Sequence, residues 1–160
     1  KFAAGLVELG ASTEAEAAEA ATKIVTRGAE LDAALEGLLV QHMVSGGQEI
    51  LVSALRDPNF GIIVSCGAGG VLTEVMDDVV LRRAPFDTDI AADMLRRVKV
   101  VKRALDKHLA ELEPMADFLA RFSRVAASVP WDSFVIEVNP VKWTPEGVCA
   151  VDGLIIVENP

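Results

Sequence analysis

The stretch that decides the fold runs from Ser133 to Glu158: SFVIEVNPVKW (133–143), the turn TPEG (144–147), then VCAVDGLIIVE (148–158). Two β-rich runs joined by a Pro-Glu-Gly turn predict an antiparallel hairpin. Side chains two apart on a strand share a face, so Glu137 and Asn139 point one way while Ile136 and Val138 point the other. A turn centred on Pro145–Glu146 places Asn139 opposite Asp152, with Cβ atoms ~5 Å apart as in cross-strand pairs. Glu137, Asn139 and Asp152 then converge as an all-oxygen set, the chemistry that suits Mg²⁺ and lets it share its shell with phosphate oxygens. The competing interpretation is a plain solvated face, and a register slip of one residue would turn Asp152 away.

Working outward, the segment before the hairpin carries Met115, Phe118, Leu119, Phe122 and Val125 at helical spacing, predicting a helix from about Pro114 to Val129. Another helix is expected from Asp87 or Thr88 to about Lys107, with Ile90, Met94, Val98, Val101 and Leu105 on one face. Upstream, LLVQHMV (38–44), EILVSAL (49–55) and GIIVSC (61–66) are short β-rich runs separated by the turn chemistries SGG and RDPNFG. The stretch VLTEVMDDVVLRRAP (71–85) returns to apolar alternation. Near the start, Leu6 to Leu9 is strand-like. Thr13 and Glu16 are spaced as a capping box for an Ala-rich helix from Glu14 to about Arg27. Strands and helices come in blocks, which predicts an α+β fold, a mostly antiparallel sheet packed with helices on one face. No linker divides the 160 residues, so a single domain over 1–160 is expected.

Charge narrows the function classes. Fifteen Lys and Arg against 24 Asp and Glu give a net charge of −9, which opposes nucleic-acid binding because phosphates need a basic face. No apolar run reaches the ~18 residues of a membrane helix. Two cysteines without ligand spacing favour a reducing, cytoplasmic compartment. The first residues, KFAAGLVELG, include no initiator Met and read as the continuation of a longer multidomain chain.

Cys66-Gly67-Ala68-Gly69-Gly70 follows an apolar run, and glycines there can bring backbone N–H groups to a phosphate; a tight turn or bulge is the plainer alternative. The acidic residues Glu74, Asp77 and Asp78 just beyond would repel phosphate unless a cation intervened. Cys66 could act as a thiolate beside this loop. His42 and His108 have no evident acid–base partner and are read as structural, and Arg96 to Arg103 as a solvated helix face.

Several segments together resemble one family, the NDP-forming acyl-CoA synthetases (the ADP-forming acetate–CoA ligase group), and within it the C-terminal subdomain of the ATP-grasp domain; the succinyl-CoA synthetase β chain is more distantly similar. The matching pieces are Leu39-Val40-Gln41-His42-Met43-Val44 with Gly47-Gln48-Glu49, then Arg56-Asp57-Pro58-Asn59-Phe60-Gly61. Gly67-Ala68-Gly69-Gly70 follows with Glu74 and Asp78, then Ala84-Pro85-Phe86. The last are Glu137-Val138-Asn139-Pro140, Gly147 and Ala150-Val151-Asp152. Lys1 resembles the lysine of a family strand running into Gly5 and Val7. Two departures stand out: Ala104-Leu105-Asp106-Lys107-His108-Leu109 replaces the family's Gly-x-Arg-Gly, and Ile62 stands where Pro is common.

The resemblance implies Mg-ATP or Mg-ADP as cofactor, with Asn139 and Asp152 as metal ligands and Glu137 supporting them. It puts Gly67, Gly69 and Gly70 by the phosphates, Gln41, His42 and Met43 in the hinge that lines adenine, and Glu49 as a further nucleotide-site residue. In this family acyl-CoA and phosphate yield an acyl phosphate, a histidine takes up the phosphoryl group, and ADP receives it. The CoA-binding and phosphohistidine-bearing domains are expected as partners in the same enzyme, itself an oligomer. The carboxylic acid and CoA would bind elsewhere, and the fragment alone would be inactive. A nucleotide-sensing module fused to an acyltransferase and an ATP-grasp carboxylate–amine ligase are the alternatives.

Overall fold

The structure, a computed structural model, describes residues 4–32, 34–70 and 78–158. It comprises two compact units, Lys1–Met43 and Val44–Pro160. The reading of Lys1 and those of Glu74 and Asp77 lie outside the described residues.

The first unit is organised by α1 (Glu14–Glu30). Its start is the capping box expected: the Thr13 hydroxyl accepts from Glu16 N–H at 3.2 Å, and the Glu16 carboxylate accepts from Thr13 N–H at 3.1 Å. Those backbone bonds, first to Ser12 and then to Thr13, hold the Glu16 carboxyl below its usual range. At the other end Gly28 is buried, and Leu35 lies where its Cβ would be. The strands expected at Leu6–Leu9 and at 38–44 do not form. A β run is stable only when its N–H and C=O groups find a ladder partner, and neither run joins a strand ladder among the described residues. Leu39 and Val40 are instead 84% and 86% exposed.

The second unit is an antiparallel sheet with three helices. Its strands are β1 (Gln48–Asp57), β2 (Gly61–Ala68), β3 (Val79–Arg83), β4 (Ser133–Thr144), β5 (Gly147–Ala150) and β6 (Gly153–Glu158), in the order β3-β2-β1-β4-β5, with β6 beside the other half of β4. All five pairings are antiparallel. Alternation puts Ile50, Val52 and Ala54 of β1 on the same face as Val64 and Cys66 of β2. Phe134, Val141 and Trp143 of β4 join them in one core with Met94, Leu95, Val101, Met115 and Leu119 of the helices. Helices therefore cover one face, as the block pattern predicts.

The helices differ from expectation in one place. The helix expected from Asp87 to Lys107 is two: α2 (Thr88–Arg97), capped by Asp87 onto Ile90 N–H at 2.9 Å, and α3 (Lys99–Asp106). Val98 between them is extended and fully buried. Asp78 provides the physical reason. Its carboxylate accepts from Lys99 N–H at 2.7 Å and Val100 N–H at 3.3 Å, meeting two of the orphan donors that any helix start carries. α4 (Leu112–Ser128) begins two residues before Pro114. That proline sits in the first turn, where a missing N–H costs nothing.

Candidate functional site

The hairpin register is the one the turn predicts. Val141 faces Ala150 and Val138 faces Gly153, so Asn139 falls opposite Asp152. Asn139 N–H donates to the Asp152 carbonyl at 3.0 Å, and Val151 N–H to the Pro140 carbonyl at 3.1 Å. Between β5 and β6 the chain turns at Asp152, whose Oδ1 accepts from Gly153 N–H at 3.0 Å.

A bulge in β4 was not legible in the sequence. Ile50 pairs with Val141 but Val52 with Val138, so Asn139 and Pro140 together oppose Leu51. One extra residue flips the alternation beyond it. Ile136 and Val138 pack toward the helices before the bulge, and Val141 and Trp143 do so after it. Glu137 and Lys142 consequently share the open face although their numbers differ in parity. Glu137 stands opposite Ser53 on one side and Leu154 on the other.

Around Asn139 several elements converge. Its Oδ1 accepts from Gly70 N–H at 2.9 Å. Glu49 and Lys142 are cross-strand partners, and their side chains form an ion pair at 2.8 Å. The Glu49 carboxylate occupies the place a Cβ on Gly70 would fill, and Gly70 has φ +62°, so that position requires glycine twice over. Glu49, Gly70, Asn139 and Lys142 thus form one contiguous cluster, with Asp152 across the hairpin.

The glycine segment packs closely against neighbouring backbone. Gly67 pairs within the ladder, and a Cβ there would come within 2.5 Å of the Asp78 carbonyl. Gly69 N–H donates to the Glu49 carbonyl at 2.8 Å, and a Cβ would meet the Ile50 backbone at 2.6 Å. Close backbone approach accounts for both glycines, and the N–H groups of Gly69 and Gly70 are already engaged. Asp78 is likewise committed, to α3. Cys66 is no thiolate either: burial, reinforced by the negative charge of Asp78, pushes its thiol up to about 12. Gln41, His42 and Met43 end the first unit; all three are exposed and none lies in a strand. His108 is exposed just past the end of α3.

Among the described residues no three His, Cys, Asp or Glu side chains group to hold a metal. The donors that the hairpin brings opposite each other are the amide of Asn139 and the carboxylate of Asp152, both oxygen. Such a set fits Mg²⁺ that completes its shell with substrate oxygens better than one enclosed by protein.

An antiparallel α+β unit with Asn and Asp facing across a terminal hairpin defines a class, and sequence comparison agrees: residues 1–157 match the family described as ATP-grasp domain. The chain belongs to the ATP-grasp family. Within it, the chain is similar to the β subunit of acetate–CoA ligase (ADP-forming) I of Pyrococcus furiosus, 31% identical over 98% of this chain and 69% of that one. It is 38% identical to acetate–CoA ligase (ADP-forming) I of Archaeoglobus fulgidus over 75% of this chain, but that match spans only 18% of the relative. Among solved structures, acetyl-coenzyme A synthetase 1 of Ca. Korarchaeum cryptofilum, in complex with coenzyme A and Mg-AMPPCP, superposes with a TM-score of 0.84 at 30% identity. The match covers 99% of this chain and 70% of that one. In that structure the phosphohistidine segment points towards the nucleotide binding site.

Proposed function

We propose that this chain is the nucleotide-holding ATP-grasp region of an acyl-CoA synthetase that interconverts acyl-CoA, NDP and phosphate with a carboxylic acid, CoA and NTP. The observation that carries it is the juxtaposition of Asn139, Asp152 and Gly70, in a chain similar over nearly its whole length to a synthetase solved with Mg-AMPPCP. Asn139 and Asp152 would hold Mg²⁺, with Glu137 supporting them. When bound, the metal neutralises charge on the phosphate oxygens, the main demand of phosphoryl transfer. This chain's own residues bind and orient: Asn139 is fixed through both its backbone N–H and its side-chain oxygen. The adenine roles of Gln41, His42 and Met43 rest on the family resemblance alone.

CoA-binding and phosphohistidine-bearing domains are the partners this reading requires, with the acid and CoA bound on them and the whole assembled as an oligomer. Relatives are named for acetate and for 4-hydroxybutyrate, so the substrate class is a carboxylic acid. Both cysteines are free, which supports a reducing compartment such as the cytoplasm. No helix among the described residues is long and apolar enough to cross a membrane.

Titration calorimetry of the whole protein with ADP, with and without Mg²⁺, tests the assignment. Metal-dependent binding that Asn139→Ala weakens at least ~10-fold, about 1.4 kcal/mol, is expected. Binding indifferent to Mg²⁺ would overturn it.

A further inference from the structure

The cluster beside Asn139 is rich in acid. Glu49 belongs to it and Asp152 lies across the hairpin from Asn139, in a chain of net charge −9. A polyphosphate brought here would be repelled by these carboxylates, and the backbone N–H groups of Gly69 and Gly70 are already bonded to Glu49 and Asn139. Positive charge must come from a side chain or from the metal. Among the described residues, Lys142 is the cation that an ion pair ties into the cluster. Its Nζ lies 2.8 Å from Glu49 Oε1 and 3.4 Å from the Gly46 carbonyl, and its side chain is only 17% exposed. An ammonium has three N–H groups, and these two acceptors account for two of them. The bulge after Val138 is what turns Lys142 to this face.

We propose that Lys142 is a positioning residue for the nucleotide's phosphates. It neutralises Glu49 where that carboxylate presses on Gly70, holds its orientation through Oε1, and makes the site able to accept a multiply charged anion. The inference rests on the nucleotide-binding reading above and deepens it.

Because the role is electrostatic, removing the lysine must hurt in proportion to ligand charge. The experiment measures Kd in the whole protein for ADP and for adenosine, each with Mg²⁺, comparing wild type with Lys142→Met, Lys142→Arg and the double variant Glu49→Gln/Lys142→Met. Lys142→Met should weaken ADP binding about tenfold, the scale of one charge interaction in a partly screened site, and adenosine binding less than about twofold. Lys142→Arg should recover most of the loss, since it keeps the charge. The double variant should bind ADP better than Lys142→Met alone, because the unpaired carboxylate is gone. Equal losses for ADP and adenosine would show a merely structural lysine and overturn the proposal. So would unchanged ADP binding in Lys142→Met. If wild type itself fails to bind Mg-ADP, the nucleotide reading falls first and this one with it.

Discussion

The two faces of β4 carry opposite kinds of information. Toward the helices it presents Phe134, Ile136, Val138, Val141 and Trp143, and Phe134, Val141 and Trp143 are all but fully excluded from water. Toward the open side it presents Glu137 and Lys142, with Asn139 at the bulge between them. The same twelve residues therefore hold the fold together on one face and offer chemistry on the other. The faces should separate under mutation: changes on the first should cost stability, and changes on the second should cost binding.

The largest effect is expected at Trp143, which is 1% exposed and donates from Nε1 to the Glu111 carbonyl at 2.8 Å, pinning the start of α4. Trp143→Ala should destabilise by about 3–5 kcal/mol through lost burial and the cavity left behind, read as a lowered denaturant midpoint. Glu137→Gln on the same strand should stay within about 0.5 kcal/mol. If both variants lose stability alike, the division between the faces fails.

Asp78 is next. It resembles a site acid in sequence, lying just past the glycines, yet it is 5% exposed and bonded to the first N–H groups of α3. Asp78→Ala leaves those donors without a partner and should cost about 1–3 kcal/mol. Hydrogen exchange at Lys99 and Val100 should accelerate more than in the β1–β4 ladder. Protection unchanged at those two amides would refute the capping role.

The contrast also explains what could be read in advance. Hydrophobic periodicity and turn chemistry are local, so the Thr13 capping box, α4 and the register that sets Asn139 against Asp152 were legible. Three features were not, and each depends on contacts distant in sequence. The bulge at Asn139–Pro140 is defined only by pairing with β1, and without it Lys142 would be assigned to the wrong face. The break at Val98 depends on a carboxylate twenty residues upstream, at Asp78. The requirement for glycine at 67 and 69 comes from the Asp78 carbonyl and the Ile50 backbone, which fill the space a Cβ would need. The run at 38–44 errs the other way: its residues favour strand, but propensity forms no strand without a neighbour.

Cys66 offers the finest test, because it sits on the helix-facing side of β2 and titrates. Burial, and secondarily Asp78, raises its thiol from 9.0 to about 12. The folded protein keeps the thiol neutral, whereas the unfolded chain ionises above pH ~9, so deprotonation favours unfolding. This contribution is fully present below pH 9 and is lost as pH rises toward 12, with a limiting slope of about 1.4 kcal/mol per pH unit. Cys66→Ala will itself cost some packing at every pH, so the informative quantity is the difference between wild type and variant. That difference should be flat from pH 7 to 8.5 and should shrink by about 1 kcal/mol by pH 10, as wild type loses what the alanine never had. A difference that stays constant through pH 10 would mean that the thiol ionises no less readily in the fold than outside it. The buried face of the sheet would then be wetter than its packing implies, and the line between the two faces of the molecule less sharp.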